Sequence, residues 1–429
     1  MGNFDLIFRE VENIEKENIM EIMRSLINID TTTPPGNSYR QYVDTISPYF
    51  IDLGFELEEV IIPEDLIKQI PFPLEGPRIN LVATKNYNQE KEITFYGHMD
   101  VVPASNKGAQ QWRFPPFNAT MVKSGKIYGR GVADMKGAMV CLILALQLIE
   151  NLQLTPKYNI RVLNCTDEEI GFYPGIRYLT EQGYINGTIF SMDSSVDPIL
   201  LMGAAGDLDV DIETIGRSSH SGLSILGVNA LEEMIPILVE LMKLKKKVEL
   251  RQSKDIPGFP DPKTREPRNM SPLFNLDIIK SGKKSNIIPD LCKLTINRRI
   301  IPDENFEDVK EEILGAIERG KLKSKALDIK TTFKYSYPAL RVDINTPDIK
   351  KIKEVIKIVH NITEEKIRKI GMSITFDMGF VSRILNRHDI ILRGVGSGGS
   401  NAHGVNETIK LKDIKKLIKE IIVFLCFDL

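Results

Sequence analysis

Apolar residues recur at three- and four-residue intervals over about 12–28 and 38–53, which predicts two amphipathic helices separated by the Thr-Thr-Thr-Pro-Pro-Gly breaker at 31–36. Short apolar runs follow at 79–84, 93–97, 159–165 and 188–192, each the length of a buried strand, while 135–152 has the length and period of a helix. Strands alternating with helices in this way predict an α/β layer built on a largely parallel sheet. From about residue 208 the texture changes. Polar and apolar residues alternate in Leu208-Asp-Val-Asp-Ile-Glu-Thr-Ile, after which the pattern predicts a helix at 228–246, strands at 273–280 and 291–300, a helix at 304–319 and a strand at 327–335. That set makes a compact α+β unit. After the segment starting at Tyr335, a helix at 347–361, a strand at 389–393 and a helix at 410–426 return to the first texture. A smaller domain, 208–337, is therefore expected as an insertion in a larger one made of 1–207 and 338–429. Segments 63–78 and 253–272 read as long irregular connections, of the kind that shape pockets.

Composition narrows the class. The 429 residues leave room for two or three domains with real cores, and 42% hydrophobic against 27% charged is the balance of a globular chain. Lys+Arg at 56 against Asp+Glu at 58 gives a net charge of -2, so bulk basicity argues for neither nucleic acid nor an anionic membrane. The four cysteines, Cys141, Cys165, Cys292 and Cys426, lie in or beside apolar runs without a CxxC spacing, which predicts reduced core residues and a cytoplasmic location. Acidic residues in the first eighteen positions do not fit a signal peptide, and no apolar run approaches a membrane span. Only five histidines are present, so a metal site has to recruit carboxylates.

The chemistry-bearing residues gather at strand ends. The strand at 93–97 runs into His98 and Asp100, the strand at 159–165 into Thr166-Asp167-Glu168-Glu169, and the strand at 188–192 into Asp193. In α/β folds the carboxyl ends of the strands are where ligand sites collect. Between them, the glycine-rich loop 129–137 places Asp134 before the long helix, where the plain alternative to a functional role is that of an N-cap. Gly394–Gly399 spells GxGxxG, but the polar, glycine-containing run to His403 is not the helix that a dinucleotide fingerprint requires. Two histidines and several carboxylates exceed the needs of one metal and suit two zinc ions sharing a carboxylate, an arrangement that activates a water between them.

Five motifs stand in order along the chain: GHMDVVPA at 97–104, the Trp112-Arg-Phe-Pro-Pro-Phe turn, GRGVADMKG at 129–137, TDEEIG at 166–171 and AHGVNE at 402–407. In these the chain resembles the dizinc amidohydrolases and exopeptidases that include succinyl-diaminopimelate desuccinylase, acetylornithine deacetylase, carboxypeptidase G and several dipeptidases. The resemblance implies a zinc exopeptidase-like catalytic domain, a mixed, mostly parallel sheet flanked by helices, with an inserted α+β ferredoxin-like dimerisation domain. It also implies two Zn2+ per subunit, with Co2+ or Mn2+ able to replace them. His98 and Asp193 would bind one ion, Glu169 and His403 the other, and Asp134 would bridge. Asp100 would hydrogen-bond the far nitrogen of His98 and fix its tautomer. Glu168, beside a ligand but not itself bound, would be the general base.

In the inserted domain, GRSSHSGLSILGVNA at 216–230 resembles the family's dimerisation motif, whose histidine falls at His220. The resemblance implies that this side chain reaches the partner subunit's active site and stabilises the oxyanion in a homodimer. Asn286, in Ser285-Asn286-Ile287-Ile288-Pro289, and Arg299 resemble the segment that grips the substrate carboxylate; a planar guanidinium suits that task. Arg298 competes for the role, because register decides which of the two points inward. His360 and His388 read as solvated. The expected activity is cleavage of an amide bond in an N-acyl amino acid or short peptide carrying a free carboxylate. The alternatives are a dipeptidase or carboxypeptidase type, which Asp at position 193 suits, and a non-catalytic peptide-binding protein on the same scaffold.

Overall fold

The computed structural model describes residues 2–68, 70–104 and 111–429. The chain forms two compact units: the first runs to Leu200 and includes Val342–Lys369 and Phe380–Leu429, and the second comprises Leu201–Arg341 with Ile370–Gly379.

The first unit is built on a six-stranded sheet whose order in space is Glu56–Ile61, Ile79–Lys85, Asn159–Cys165, Glu92–His98, Thr188–Ser191 and Ile390–Leu392. Glu92–His98 pairs parallel with both neighbours, and Ile390–Leu392 runs parallel to Thr188–Ser191. The first two strands are antiparallel to their neighbours, so the sheet is mixed, with a parallel block running from Asn159–Cys165 to the Ile390–Leu392 edge. Central strands covered on both faces carry apolar residues almost continuously, as in Ile93, Phe95, Tyr96 and Val162, Leu163. The helix Lys136–Asn151 packs against Leu411–Cys426, and each is buried around most of its circumference. Because the three central strands run the same way, His98, the Thr166–Glu169 turn and Asp193 leave the sheet at one edge.

The second unit runs strand, helix, strand, strand, helix, strand: Gly206–Ile215, Ala230–Val248, Leu273–Ser281, Leu291–Ile300, Phe306–Lys321 and Asp328–Tyr337. All pairings in its sheet are antiparallel, in the ferredoxin-like order with Leu291–Ile300 and Gly206–Ile215 in the middle. Leu208, Val210 and Ile212 point to one face, where Ile237, Leu241, Ile313 and Ile317 of the two helices complete the core. The alternate residues Asp207, Asp209 and Asp211 lie on the other face with Asn297 and Thr295.

Several expectations change in detail. The helix expected at 12–28 is Lys16–Ile27, and a further helix, Gly2–Asn13, precedes it. The second unit starts at Leu201 and also takes in Ile370–Gly379. The Ala205 N–H donates to the Met372 and Ile374 carbonyls, and the strand Arg368–Met372 lies beside Ile199–Ala204. His360 is not solvated: its side chain is 5% exposed and bonded to Glu420. Its helix brings the imidazole against the buried face of the C-terminal helix.

Candidate metal centre and active site

His98 is the last residue of its strand and is fully buried. Its Nε2 lies 3.1 Å from Asp134 Oδ1. Its Nδ1 donates to the Asp100 carbonyl oxygen at 3.0 Å, while the Asp100 carboxylate is 3.6 Å away. That carboxylate instead accepts the N–H groups of Glu168 (3.2 Å) and Glu169 (2.9 Å). Asp100 thus orients the imidazole through its backbone and holds the two acids through its side chain.

The acids sit on a single 3-10 turn, Glu168–Ile170, entered through Asp167 in the left-handed region at φ 62°. Asp167 is buried and anchored by Arg78 Nε at 3.1 Å and Tyr39 Oη at 2.8 Å. Arg78 in turn donates to the carbonyls of Pro35, Gly36 and Glu75, tying the 31–36 breaker under the turn. The predicted N-cap role of Asp134 is not seen. Met135 occupies the position before the helix Lys136–Asn151, and the Asp134–Met135 peptide bond is cis. Asp134 faces the imidazoles of both His98 and His403, with His403 Nε2 3.0 Å from its Oδ2 and 2.8 Å from Glu169 Oε2. His403, like Asn401 and Asn406, has a positive φ, which lets the glycine-rich loop fold back and present the ring.

Two groups of donors result. His98, Asp134 and Asp193 offer atoms within 4.8 Å of one another, as do Asp134, Glu169 and His403, and Asp134 belongs to both. The charges show what this pocket favours. Burial disfavours a charged His98, yet Asp100 and Asp134 draw its imidazole well above the usual range. Hydrogen bonds to Asp134 and Glu169 push His403 up to about 10 against the effect of burial. Burial and the neighbouring Asp134 charge push Glu169 up. Each shift says that the cluster takes up positive charge, and a set of imidazoles and carboxylates sharing one acid fits a pair of divalent cations.

The family model for Peptidase family M20/M25/M40 matches residues 94–425. The chain belongs to this family. It is an enzyme, a hydrolase acting on amide bonds. Among curated relatives, N-formyl-4-amino-5-aminomethyl-2-methylpyrimidine deformylase of Bacillus subtilis is 24% identical over 96% of this chain and 94% of its own length. A probable succinyl-diaminopimelate desuccinylase of Staphylococcus aureus is 28% identical over 71% of this chain and 75% of its own. Among solved structures, the di-peptidase Dug1p of Saccharomyces cerevisiae superposes with a TM-score of 0.73 at 16% identity, covering 97% of each chain. YXEP of Bacillus subtilis, described as a dinuclear metal binding peptidase of the M20 family, gives 0.62 at 12% identity over 96% of this chain and 98% of its own.

The remaining expected residues of this M20/M25/M40 member lie in its second unit. His220 is exposed and caps the turn Ser221–Leu226, its Nδ1 accepting the Gly222 N–H at 3.0 Å. Asn286 is its neighbour there, since Ser221 N–H donates to the Asn286 carbonyl and His220 bridges to Ile287. Arg299 lies on the open face of the sheet, 3.2 Å from Asp207, whereas Arg298 is 1% exposed and paired with Glu304. Residues without an assigned role in the sequence also converge on the first unit's cluster: Arg78 below the Glu168 turn, and Arg130 and Glu407 beside Asp134. The last two stand inside the glycine-rich and AHGVNE motifs, and that placement is the signal that marks them.

Proposed function

We propose that the protein is a metal-dependent deacylase that cleaves the amide bond of an N-acyl amino acid or short peptide bearing a free carboxylate. The observation that carries this is the pair of donor triads sharing Asp134, with Glu168 fixed beside Glu169 by the Asp100 carboxylate. In this reading His98 and Asp193 hold one cation and Glu169 and His403 the other, with Asp134 common to both; zinc suits the donors. When bound, two such ions would polarise an amide carbonyl and acidify a water. Glu168, 8% exposed on its tight turn, takes the proton from that water and delivers it to the departing amine, so acid and amine are released without net proton change.

His220 supplies a donor. With Nδ1 accepting from Gly222, the ring proton resides on Nε2, which is the state that stabilises charge developing on the carbonyl oxygen. The register of the second unit bears on where that donor comes from. Leu291 pairs with Ile215 near the His220 end of the sheet, and Arg299 pairs with Asp207 at the opposite end. Eight residues of strand separate them, roughly 27 Å at the usual rise. A small N-acyl amino acid cannot touch both ends. A homodimer in which one chain gives Arg299 and the other gives His220 and Asn286 removes the difficulty. An apolar stripe of Leu231, Ile235, Val239 and Met242, 39–51% exposed on the helix Ala230–Val248, offers a face for that association.

The deacylase reading is supported by curated relatives that include a deformylase, desuccinylases and an acetylornithine deacetylase. A dipeptidase or carboxypeptidase type is the second reading, favoured by Asp at position 193. The test is Glu168→Gln together with a screen of N-formyl, N-acetyl, N-succinyl and dipeptide substrates. The variant should keep both metals while losing about 10²–10⁴-fold in turnover. Wild-type turnover in the variant would remove Glu168 as base, and cleavage of the dipeptides in preference to the N-acyl substrates would favour the second reading.

A further inference from the structure

Residues to which the reaction gives no task, drawn from three of the motifs, meet in one place in the first unit. Glu407 is fully buried, and its carboxylate accepts four hydrogen bonds. Oε1 takes the N–H groups of Ala133 (2.7 Å) and Asp134 (3.1 Å); Oε2 takes Arg130 Nη1 (2.7 Å) and the Gly131 N–H (2.9 Å). Arg130, 2% exposed, uses its other arm on the loop that carries His403, donating from Nη2 to the carbonyls of His403 and Gly404, both at 3.2 Å. The Trp112 ring covers the guanidinium at 5.3 Å. Asn406 fastens the same turn, accepting the Arg113 N–H at 2.6 Å and donating to the Gln111 carbonyl.

We propose that Glu407 and Arg130 are positioning residues forming a clamp that sets where Asp134 and His403 stand relative to each other. The inference rests on the reading of those two side chains as metal ligands. The Gly129 N–H donates to the Glu407 carbonyl at 3.2 Å, and the side chains of Glu407 and Arg130 extend that link to Asp134 on one loop and His403 on the other. A carboxylate is the side chain the geometry calls for, because all four groups facing it are donors. In Glu407→Gln one corner becomes an NH2 that must face two donors, so part of the clamp opens without loss of volume. Arg130→Lys keeps a cation for Glu407 but lacks the fork that reaches the His403 and Gly404 carbonyls at the same time.

Removing partners that orient ligands typically weakens metal affinity or activity about 10–100-fold. The experiment is calorimetric titration of Co2+ into metal-stripped wild type, Glu407→Gln and Arg130→Lys, with kcat and KM measured at rising metal concentration. Glu407→Gln should raise the dissociation constants of both ions about 10–100-fold, since Asp134 serves both sites. Arg130→Lys should weaken chiefly the ion held by His403. In both variants kcat should recover as metal saturates while KM stays near wild type. If the wild type takes up fewer than two ions, the ligand reading fails. If it takes up two, and both variants bind them with unchanged affinity, the clamp is refuted. Folded variants that lose thermal stability alone would likewise refute it. Should Glu407→Gln not fold, Arg130→Lys decides by the same criteria.

Discussion

Glu420 offers a test of how the first unit holds its shape. It lies on the buried face of the C-terminal helix, accepting Arg393 Nε at 2.8 Å and Nη2 at 2.7 Å, and facing His360 Nε2 at 3.0 Å. Arg393 also donates to the carbonyls of Val196, Asp197 and Ile199, so this one guanidinium fixes the chain just beyond Asp193. Glu420→Ala would strand a cation that is 1% exposed. Three charge-assisted bonds at about 1.5–3 kcal/mol each set an upper bound. Because Arg393 keeps its carbonyl partners, the expected loss is the about 3–5 kcal/mol typical of breaking a buried pair from one side. Trp112 is the single tryptophan and belongs to the same unit, so urea unfolding followed by its emission reads that unit. The pH dependence adds a sign. Burial alone would raise the Glu420 pKa, but the Arg393 charge and the bonds from His360 and Arg393 hold it below the usual carboxylate range. A depressed pKa means stability that is fully present above the unfolded value of about 4.3 and lost as pH falls through the folded one. The gap between wild type and Glu420→Ala should therefore be full at pH 7 and narrow below about pH 4. A loss under about 1 kcal/mol at pH 7, or a gap that stays constant into acid, would refute the reasoning.

The other expectations concern the site and the proposed dimer. Stripping metal with a chelator should lower the Trp112 unfolding midpoint, because each ion at 100 times its dissociation constant contributes about 2.7 kcal/mol; an unmoved midpoint would count against a resident cation pair. Arg299→Ala should raise KM for carboxylate-bearing substrates with the fold intact, whereas Arg298→Ala, by leaving Glu304 without its 1%-exposed partner, should destabilise the second unit. Steady-state kinetics and thermal scans separate the two, and the reverse pattern would overturn the register argument. Ile235→Asp with Val239→Asp should turn the homodimer into monomers by light scattering and abolish turnover; an active monomer would contradict donation of His220 across the interface. Mixing inactive Glu168→Gln with an inactive His220 variant should restore part of the activity after subunit exchange, and no recovery would argue against that donation too.

The sequence was most informative where one physical signal dominated. Strands such as Asn159–Cys165 and Leu291–Ile300 stand where their apolar or alternating runs placed them, because burial on two faces or one leaves little choice of residue. The donors at strand ends were legible for the same reason: parallel strands deliver their carboxyl ends to one edge. Less legible were features that depend on tertiary partners. Glu56–Ile61 is an edge strand rich in Glu whose pairing with Ile79–Lys85 outweighs its poor β propensity. Arg298 and Arg299 are identical in type and differ only in which way the pleat turns them. His360 sits among lysines in sequence, and only the packing of its helix on Leu411–Cys426 reveals that it is enclosed. The support under the acids was hidden likewise, since Arg78 and Asp167 are 89 residues apart and Arg130 and Glu407 farther still.

The way the second unit closes on itself has a kinetic consequence. Asp193 and His403 stand on either side of it in the chain, so by sequence separation alone assembling the donors requires closing a very long loop. Ala204 pairs directly with Leu340, and Gly203 with Arg341, so the excursion of about 135 residues begins and ends on two adjacent strands. Once it has formed, the first unit experiences it as a connection of a few residues. Loop-closure entropy grows as three halves of RT times the logarithm of length, so the saving is roughly 3 kcal/mol. An order of events in which the insertion collapses early and the surrounding sheet then closes around a short tether is the economical route for a nascent chain, and it leaves His403 to join acids that all precede the insertion.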